Sequence, residues 1–261
     1  MRRTAIALIL VSLAGCGGEA GKQAPPEAAA SSNQVGSVKS YDGVPIAYSV
    51  AGSGEGALLF IHSWSCDRSY WTAQVGAFAS NQKVVTVDLA GHGDSGAERE
   101  AWTIEALARD VEAVIAELDL ASVVLVGHSM GGPVALEVAR RLPDRVVGVI
   151  GVDAFQGPEW NGPEAENLCA AAPQVAATQL AELAAYDLAR ALSAVRVPVR
   201  AINGSLVPTR VEAVRARHRD FDAVILDGVG HFPMLERPDE FNRQLERLVE
   251  EITAGAHDLV S

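Results

Sequence analysis

Apolar residues arrive in short runs along most of the chain, broken only by Thr86 and Arg200 and by glycines. Residues 57–61, 84–87, 123–126, 146–152, 199–202 and 223–226 are such runs. Runs of this length, bounded by Gly, Asp or His, read as strands buried on both faces. An earlier pair differs. Residues 38–41 and 46–50 flank Asp42-Gly43, and Asp-Gly supplies the φ > 0 backbone of a tight hairpin turn. Residues 52–56, bounded by Gly52 and Gly56, mark the next turn. Between the later runs the apolar spacing changes to three and four. Ile104, Leu107, Ala108, Val111, Val114, Ile115 and Leu118 share one helical face. Phe241, Leu245, Leu248 and Ile252 share another, behind a Pro238-Asp239 start. Continuous apolar strands alternating with helices imply an α/β fold: a mostly parallel, doubly wound sheet with helices on both faces. Sites in such sheets lie beyond the carboxyl ends of the strands. No internal repeat is visible.

The first residues follow another pattern. Arg2 and Arg3 precede the apolar run 5–11, and Leu13-Ala14-Gly15-Cys16 follows it. A basic start, a short apolar core and small residues before a cut make residues 1–15 an expected signal peptide. The cysteine directly after small residues resembles the lipobox of bacterial lipoproteins. That resemblance implies cleavage before Cys16, diacylation of its thiol, and a membrane anchor made of acyl chains, at ~0.8 kcal/mol per buried CH₂. Gly17 stands where an Asp retains many such lipoproteins in the inner membrane, so the outer membrane is expected in a cell with two. Residues 16–36 are rich in Gly, Ala, Pro, Ser and Glu, and only Val35 is a large apolar residue. They are expected to form a flexible tether, because they cannot bury enough surface to offset ordering entropy. The folded domain is then 37–261.

Composition narrows the picture. A 261-residue chain with 49 % apolar residues can bury a sizeable core. The net charge of −12 argues against a nucleic-acid partner, since phosphate contacts need clustered cations. Loss of residues 1–15 removes two arginines and no acids, leaving −14. No run of 18 apolar residues occurs, so no membrane-spanning helix is expected. Three cysteines are too few for a disulfide scaffold. No metal-ligand cluster and no phosphate-binding Gly-rich loop is visible.

Candidate chemistry sits at the end of the run 123–126. There Gly127-His128-Ser129-Met130-Gly131 reads as strand, tight turn and helix start. Gly127-x-Ser129-x-Gly131 in that context is a nucleophile elbow. Small residues two before and two after the serine allow a strained turn that projects its hydroxyl above the sheet. The backbone N–H of Met130, at the helix start, is then available to developing negative charge. Serine is a weak nucleophile and needs a base. Of six histidines, His128 lies inside the elbow, His62 and His92 lie in early loops, His218 lies in a charged helix, and His257 lies in the tail. His231, in Gly228-Val229-Gly230-His231-Phe232-Pro233 after the last run, is the candidate base. The order serine, acid, histidine requires such a late position.

With these residues in place, the chain resembles the α/β-hydrolase family of esterases, lipases and perhydrolases over roughly residues 40–255. The resemblance rests on the His62 segment, on Asp88-Leu89-Ala90-Gly91-His92-Gly93-Asp94-Ser95, on the elbow, and on the stretch from Gly230 to Pro238. It implies a second oxyanion N–H from the loop after the third strand, which falls on Trp64. The family usually has His-Gly there, and this chain has His62-Ser63. It implies an acid as well. Relatives often carry Asp just after the seventh strand, where this chain has Gly204-Ser205-Leu206-Val207. Others carry it after the sixth, where this chain has Asp153. Asp153 is the expected acid and Asp227 the rival.

The resemblance further implies a short cap at about 154–196, containing Trp160 and Cys169, and Trp64, Trp71 and Phe232 as candidate pocket walls. Cys66 and Cys169 are open to either a disulfide or free thiols. The implied activity is a serine hydrolase of a small-molecule ester or related acyl bond, working through an acyl-enzyme without a cofactor. Alternatives are C–C bond hydrolysis or perhydrolysis on the same residues, or a near-inactive ligand-binding or sensor protein. Dehalogenase and epoxide hydrolase relatives use Asp as nucleophile, which disfavours them here.

Overall fold

The Asp42-Gly43 turn closes a hairpin between β1 (Gln34–Lys39) and β2 (Pro45–Ala51), with Gly43 at φ +88° and Val38 opposite Ile46. The structure, a computed structural model, describes residues 33–157 and 173–258. β1 begins three residues before the domain start expected at 37. Gly36, expected in the tether, lies under the Tyr48 ring, where a Cβ would come within 2.5 Å of it. Its place in the sheet comes from backbone pairing with β2, which composition does not report. Cys16 and the other residues of 1–32 lie outside the described residues, as do Trp160 and Cys169.

The apolar runs form β3 (Gly56–Ile61), β4 (Lys83–Val87), β5 (Ser122–His128), β6 (Val146–Val152), β7 (Val199–Gly204) and β8 (Phe221–Leu226). The eight strands stand in the order β1-β2-β4-β3-β5-β6-β7-β8. Antiparallel pairing is confined to β1–β2 and β2–β4; the rest is parallel. The helices are α1 (Thr72–Phe78), preceded by a 3-10 turn at Arg68–Trp71, then α2 (Ile104–Glu117), α3 (Gly131–Arg141), α4 (Pro173–Ala185), α5 (Leu188–Ala194), α6 (Val211–Arg215), α7 (Pro233–Glu236) and α8 (Pro238–Asp258). α4 and α5 fall in the segment expected as the cap. Among the described residues no helix is long and apolar enough to cross a membrane.

Both sheet faces are covered, which is why the strands read as continuous apolar runs. Leu59 and Ile61 of β3 join Leu107 and Val111 of α2, Val134 and Leu136 of α3 and Leu192 of α5 in one core layer. Leu58 and Phe60 join Trp71, Phe78, Phe241, Leu245 and Leu248 in the other. Trp71 is thus a core residue. Thr103 caps α2 by accepting the Ala106 N–H at 3.1 Å. A buried ion cluster ties the hairpin to α2: Asp110 accepts from Arg99 Nη2 and from Ser40 Oγ, each at 2.6 Å. His218, expected in a helix, lies in the loop after α6, with its ring Nδ1 donating to Leu192 O at 3.2 Å.

Candidate active site

Ser129 follows β5 at φ +50°, a left-handed conformation that costs a non-Gly residue about 1–3 kcal/mol. Glycines make the turn possible by close approach. A Cβ on Gly127 would lie 2.2 Å from Gly131 O, and one on Gly131 would lie 2.5 Å from Ile61 O. The turn is clamped by Ser129 N–H to Val152 O and Gly132 N–H to Ser129 O, both at 2.9 Å. Met130 is the N-cap of α3, so its N–H belongs to the donors a helix start leaves without intrahelical acceptors. Ser129 is fully buried, and its Oγ has no hydrogen-bond partner among the described residues.

His231 lies in the loop between β8 and α7. Its Nδ1 donates to Asp153 Oδ2 at 2.6 Å. A carboxylate only accepts, so Nδ1 carries a proton in this contact, and in the neutral ring Nε2 is then the nitrogen with the lone pair. That Nε2 is buried and, like Ser129 Oγ, without a partner among the described residues. Asp153 follows β6 at φ +42° and is 2 % exposed. Its Oδ1 accepts the Gly204 N–H at 3.1 Å, and its own N–H donates to Ile202 O at 3.0 Å. Asp227 is exposed instead, and its Oδ1 accepts from Ser205 Oγ at 3.4 Å.

Asn203, at the end of β7, was not singled out by sequence. It is fully buried. Its Oδ1 accepts the Ala154 N–H at 3.2 Å, and its Nδ2 donates to Ala154 O at 3.0 Å and Thr209 Oγ1 at 2.8 Å. It thereby holds the residue that follows the acid. The available signal was a polar residue ending an apolar run. His128 has a comparable part. Its Nε2–H donates to His231 O at 2.8 Å, and its ring leans on His231 and Phe232 with centroids 4.8 and 4.9 Å apart. Burial holds this imidazole well below its ordinary pKa, hence neutral.

The loop after β3 carries Trp64, half-buried. Two histidines fix this loop. His62 donates from Nδ1 to Ser63 O at 2.7 Å and accepts the Leu89 N–H at Nε2, 3.0 Å. His92 donates from Nδ1 to Ala90 O at 3.0 Å and accepts the Ser65 N–H at 3.1 Å. Burial pushes His62 down to about 4 and His92 down to about 3, so both are neutral braces rather than bases. Asp88 extends the brace, accepting from the Arg68 guanidinium and from the Asp94 N–H at 2.9 Å. Asp94 itself is exposed and pairs with Arg68 at 2.6 Å. A cavity of about 440 Å³ opens elsewhere, between α2, α3, α4 and α5, lined by Glu137, Arg140 and Tyr186 among others. Among the described residues no group of three His, Cys, Asp or Glu is arranged to hold a metal ion.

A mostly parallel sheet with an elbow serine at the end of β5, and a histidine–carboxylate pair at the ends of β8 and β6, defines the hydrolase class of α/β folds. The family model for the alpha/beta hydrolase fold matches residues 56–208, and the chain belongs to that family. A curated relative, the dihydrolipoyllysine-residue acetyltransferase component of the acetoin cleaving system of Pseudomonas putida, is 33 % identical over 126 residues, 48 % of this chain and 34 % of its own length. The match thus spans about a third of that relative. Among solved structures, Est816, described as an N-acyl homoserine lactone degrading enzyme, is 25 % identical with a TM-score of 0.67, covering 81 % of this chain and 99 % of its own. A thermophilic esterase from Thermogutta terrifontis is 24 % identical with a TM-score of 0.71, covering 84 % and 99 %, and shares the fold.

Proposed function

We propose that the chain is a serine hydrolase cleaving an ester or related acyl bond through Ser129, His231 and Asp153. The observation that carries this reading is a buried elbow serine at the carboxyl edge of the sheet together with a histidine whose Nδ1 is engaged by Asp153 and whose Nε2, like the serine Oγ, has no partner among the described residues. Ser129 Oγ attacks the acyl carbon while its proton passes to His231 Nε2. The carbonyl π pair moves onto oxygen, which the Met130 and Trp64 N–H groups hold. Asp153 stabilises the imidazolium. Collapse breaks the bond to the leaving alcohol, which takes the proton from Nε2. Water then repeats the sequence on the acyl-enzyme. A cyclic ester fits the same steps, and Est816 is described as degrading a lactone.

The test is hydrolysis of p-nitrophenyl esters of increasing chain length by the full-length protein in detergent. Ser129→Ala and labelling by a fluorophosphonate probe run beside it. Turnover and labelling that both vanish in Ser129→Ala are expected. No turnover on any ester, with Ser129 still labelled, would refute general esterase activity.

We further propose that Cys16 anchors the protein in the cell envelope, supported by Arg2, Arg3, the apolar run 5–11 and Leu13-Ala14-Gly15-Cys16. Cys16→Ser should abolish incorporation of an alkyne-tagged fatty acid. Equal labelling of both forms would overturn the anchor.

A further inference from the structure

Ser63 stands directly after His62, where the family resemblance leads to an expectation of glycine. The backbone does not explain either residue. In this loop the left-handed residue is Ser65, at φ +57°, and Ser63 is not left-handed. The fold does not use the hydroxyl. Ser63 is fully buried, and its Oγ has no hydrogen-bond partner among the described residues. A buried hydroxyl without a partner is costly, so such a group asks for an explanation.

Its location supplies one. β3 and β5 are parallel neighbours with Ile61 opposite Gly127. Two residues further along each strand direction stand Ser63 and Ser129. The start of α3 presses on the same point, since a Cβ on Gly131 would lie 2.8 Å from His62 O. The Ser63 backbone is also fixed: its carbonyl accepts from His62 Nδ1 at 2.7 Å and from the Cys66 N–H at 3.2 Å. A hydroxyl on a pinned backbone still rotates its proton to suit an acceptor. Among the described residues Ser63 Oγ thus shares this end of the sheet with other buried polar atoms that have no partner, Ser129 Oγ and His231 Nε2 among them.

We propose that the Ser63 hydroxyl is a third oxyanion donor, hydrogen-bonding the carbonyl oxygen of the ester as negative charge builds on it. The inference rests on the acyl-transfer reading above and makes Ser63 a catalytic residue. No bond of Ser63 is made or broken. The Ser129 Oγ–carbon bond forms, the π pair moves to oxygen, and the Ser129 proton goes to His231. A preorganised donor gains most where charge is greatest, so it acts on kcat rather than KM.

Ser63→Ala and Ser63→Gly test this in the full-length protein with p-nitrophenyl butyrate. A trifluoromethyl ketone, which adds reversibly to Ser129 and leaves an oxyanion, is the second readout. Both variants should lower kcat roughly ten- to a hundredfold with KM nearly unchanged, and weaken the ketone by a similar factor. The melting temperature of Ser63→Ala should not fall below the wild-type value, since that variant removes a buried hydroxyl without a partner. A kcat within about threefold of wild type in a folded variant overturns the proposal. So does a fall in kcat without a matching loss of ketone affinity, which would assign the effect to loop packing. Wild type that neither turns over nor reacts with a fluorophosphonate would instead remove the acyl-transfer reading, and this donor with it.

Discussion

Replacing Asp153 by Asn changes one atom and forces a choice the site cannot accommodate. Two donors face the carboxylate: Gly204 N–H at Oδ1, 3.1 Å, and His231 Nδ1–H at Oδ2, 2.6 Å. An amide offers one acceptor and one NH₂. If its oxygen stays with Gly204 N–H, its NH₂ meets His231 and the imidazole must accept at Nδ1. The ring proton then moves to Nε2, the atom that in the proposed mechanism receives the proton of Ser129. If the amide flips, the buried Gly204 N–H meets an NH₂ and the imidazolium still loses its counter-charge. Either way the base is disabled while the packing is kept, since Asn and Asp are isosteric. The expected loss in kcat/KM is about 10⁴-fold, or about 5.4 kcal/mol of barrier. The assay is p-nitrophenyl ester hydrolysis by Asp153→Asn, with Asp227→Asn as the exposed control that should keep wild-type turnover. Activity of Asp153→Asn within about tenfold of wild type would refute Asp153 as the acid.

Asn203→Ala removes both bonds to Ala154 and the bond to Thr209 at a fully buried site. It should cost about 2–4 kcal/mol in urea unfolding and lower turnover, whereas unchanged stability would show that the turn holds itself. Gly204→Ala puts a Cβ 2.2 Å from Val229 O and 2.3 Å from Gly230 O, displacing the loop that carries His231. It should reduce kcat and the melting temperature. Gly76→Ala, at an exposed position of α1 with nothing within 4 Å, should instead stabilise by about 0.5–1 kcal/mol. Acid should destabilise the fold through His62, His92 and His128. Burial depresses all three, to about 4 for His62 and about 3 for His92, so below about 6.5 the unfolded chain binds protons that the folded chain refuses. Each contributes up to about 1.4 kcal/mol of lost stability per pH unit between about 6.5 and 4. Asp88 and Asp110, raised by burial, oppose this at the lower end. A urea midpoint that does not fall between about pH 6.5 and about pH 5 would refute the neutral-brace reading.

Strands buried on both faces were legible where nothing along them has to be polar, as in β3, β5 and β6; β7 with Arg200 and Asn203, and the partly exposed edge strand β8, showed only short apolar stretches. β1 was partly missed because an edge strand is held by its backbone, and its residues are mostly exposed. The elbow was legible because close approach demands glycine at Gly127 and Gly131, and that demand is written in residue types. Asp153 was harder. No carboxylate stands after β7, and Asp153 was favoured only by its resemblance to relatives with the acid after the sixth strand, over Asp227 four residues before His231; the 2.6 Å contact is a product of tertiary register between β6, β7 and β8. A structural loop part for His62 was legible, but the contacts by which His62, His92 and Asn203 brace the site were not. Apart from Thr209 Oγ1, their partners are backbone atoms up to 49 residues away, and a backbone group leaves no residue-type signal.

The distribution of backbone strain ties these residues together. Among the described residues five non-Gly positions have left-handed φ: Ser65, Asp119, Ser129, Asp153 and Phe155. All but Asp119 follow the carboxyl ends of β3, β5 and β6, where the candidate site lies. Such conformations persist only where neighbours over-determine them. Here each neighbour is identifiable: His92 holds Ser65, Val152 holds Ser129, Ile202 and Gly204 hold Asp153, and Asn203 holds Ala154 just before Phe155. The clamps on Ser129 and Asp153 are contacts between adjacent strands of the sheet. The serine and the acid are therefore set by the same backbone ladder, β5 to β6 to β7. Their relative placement follows from strand register rather than from the cap. Substitutions at Asn203 or Gly204 should accordingly lower the rate of the reaction proposed above, whichever substrate is used.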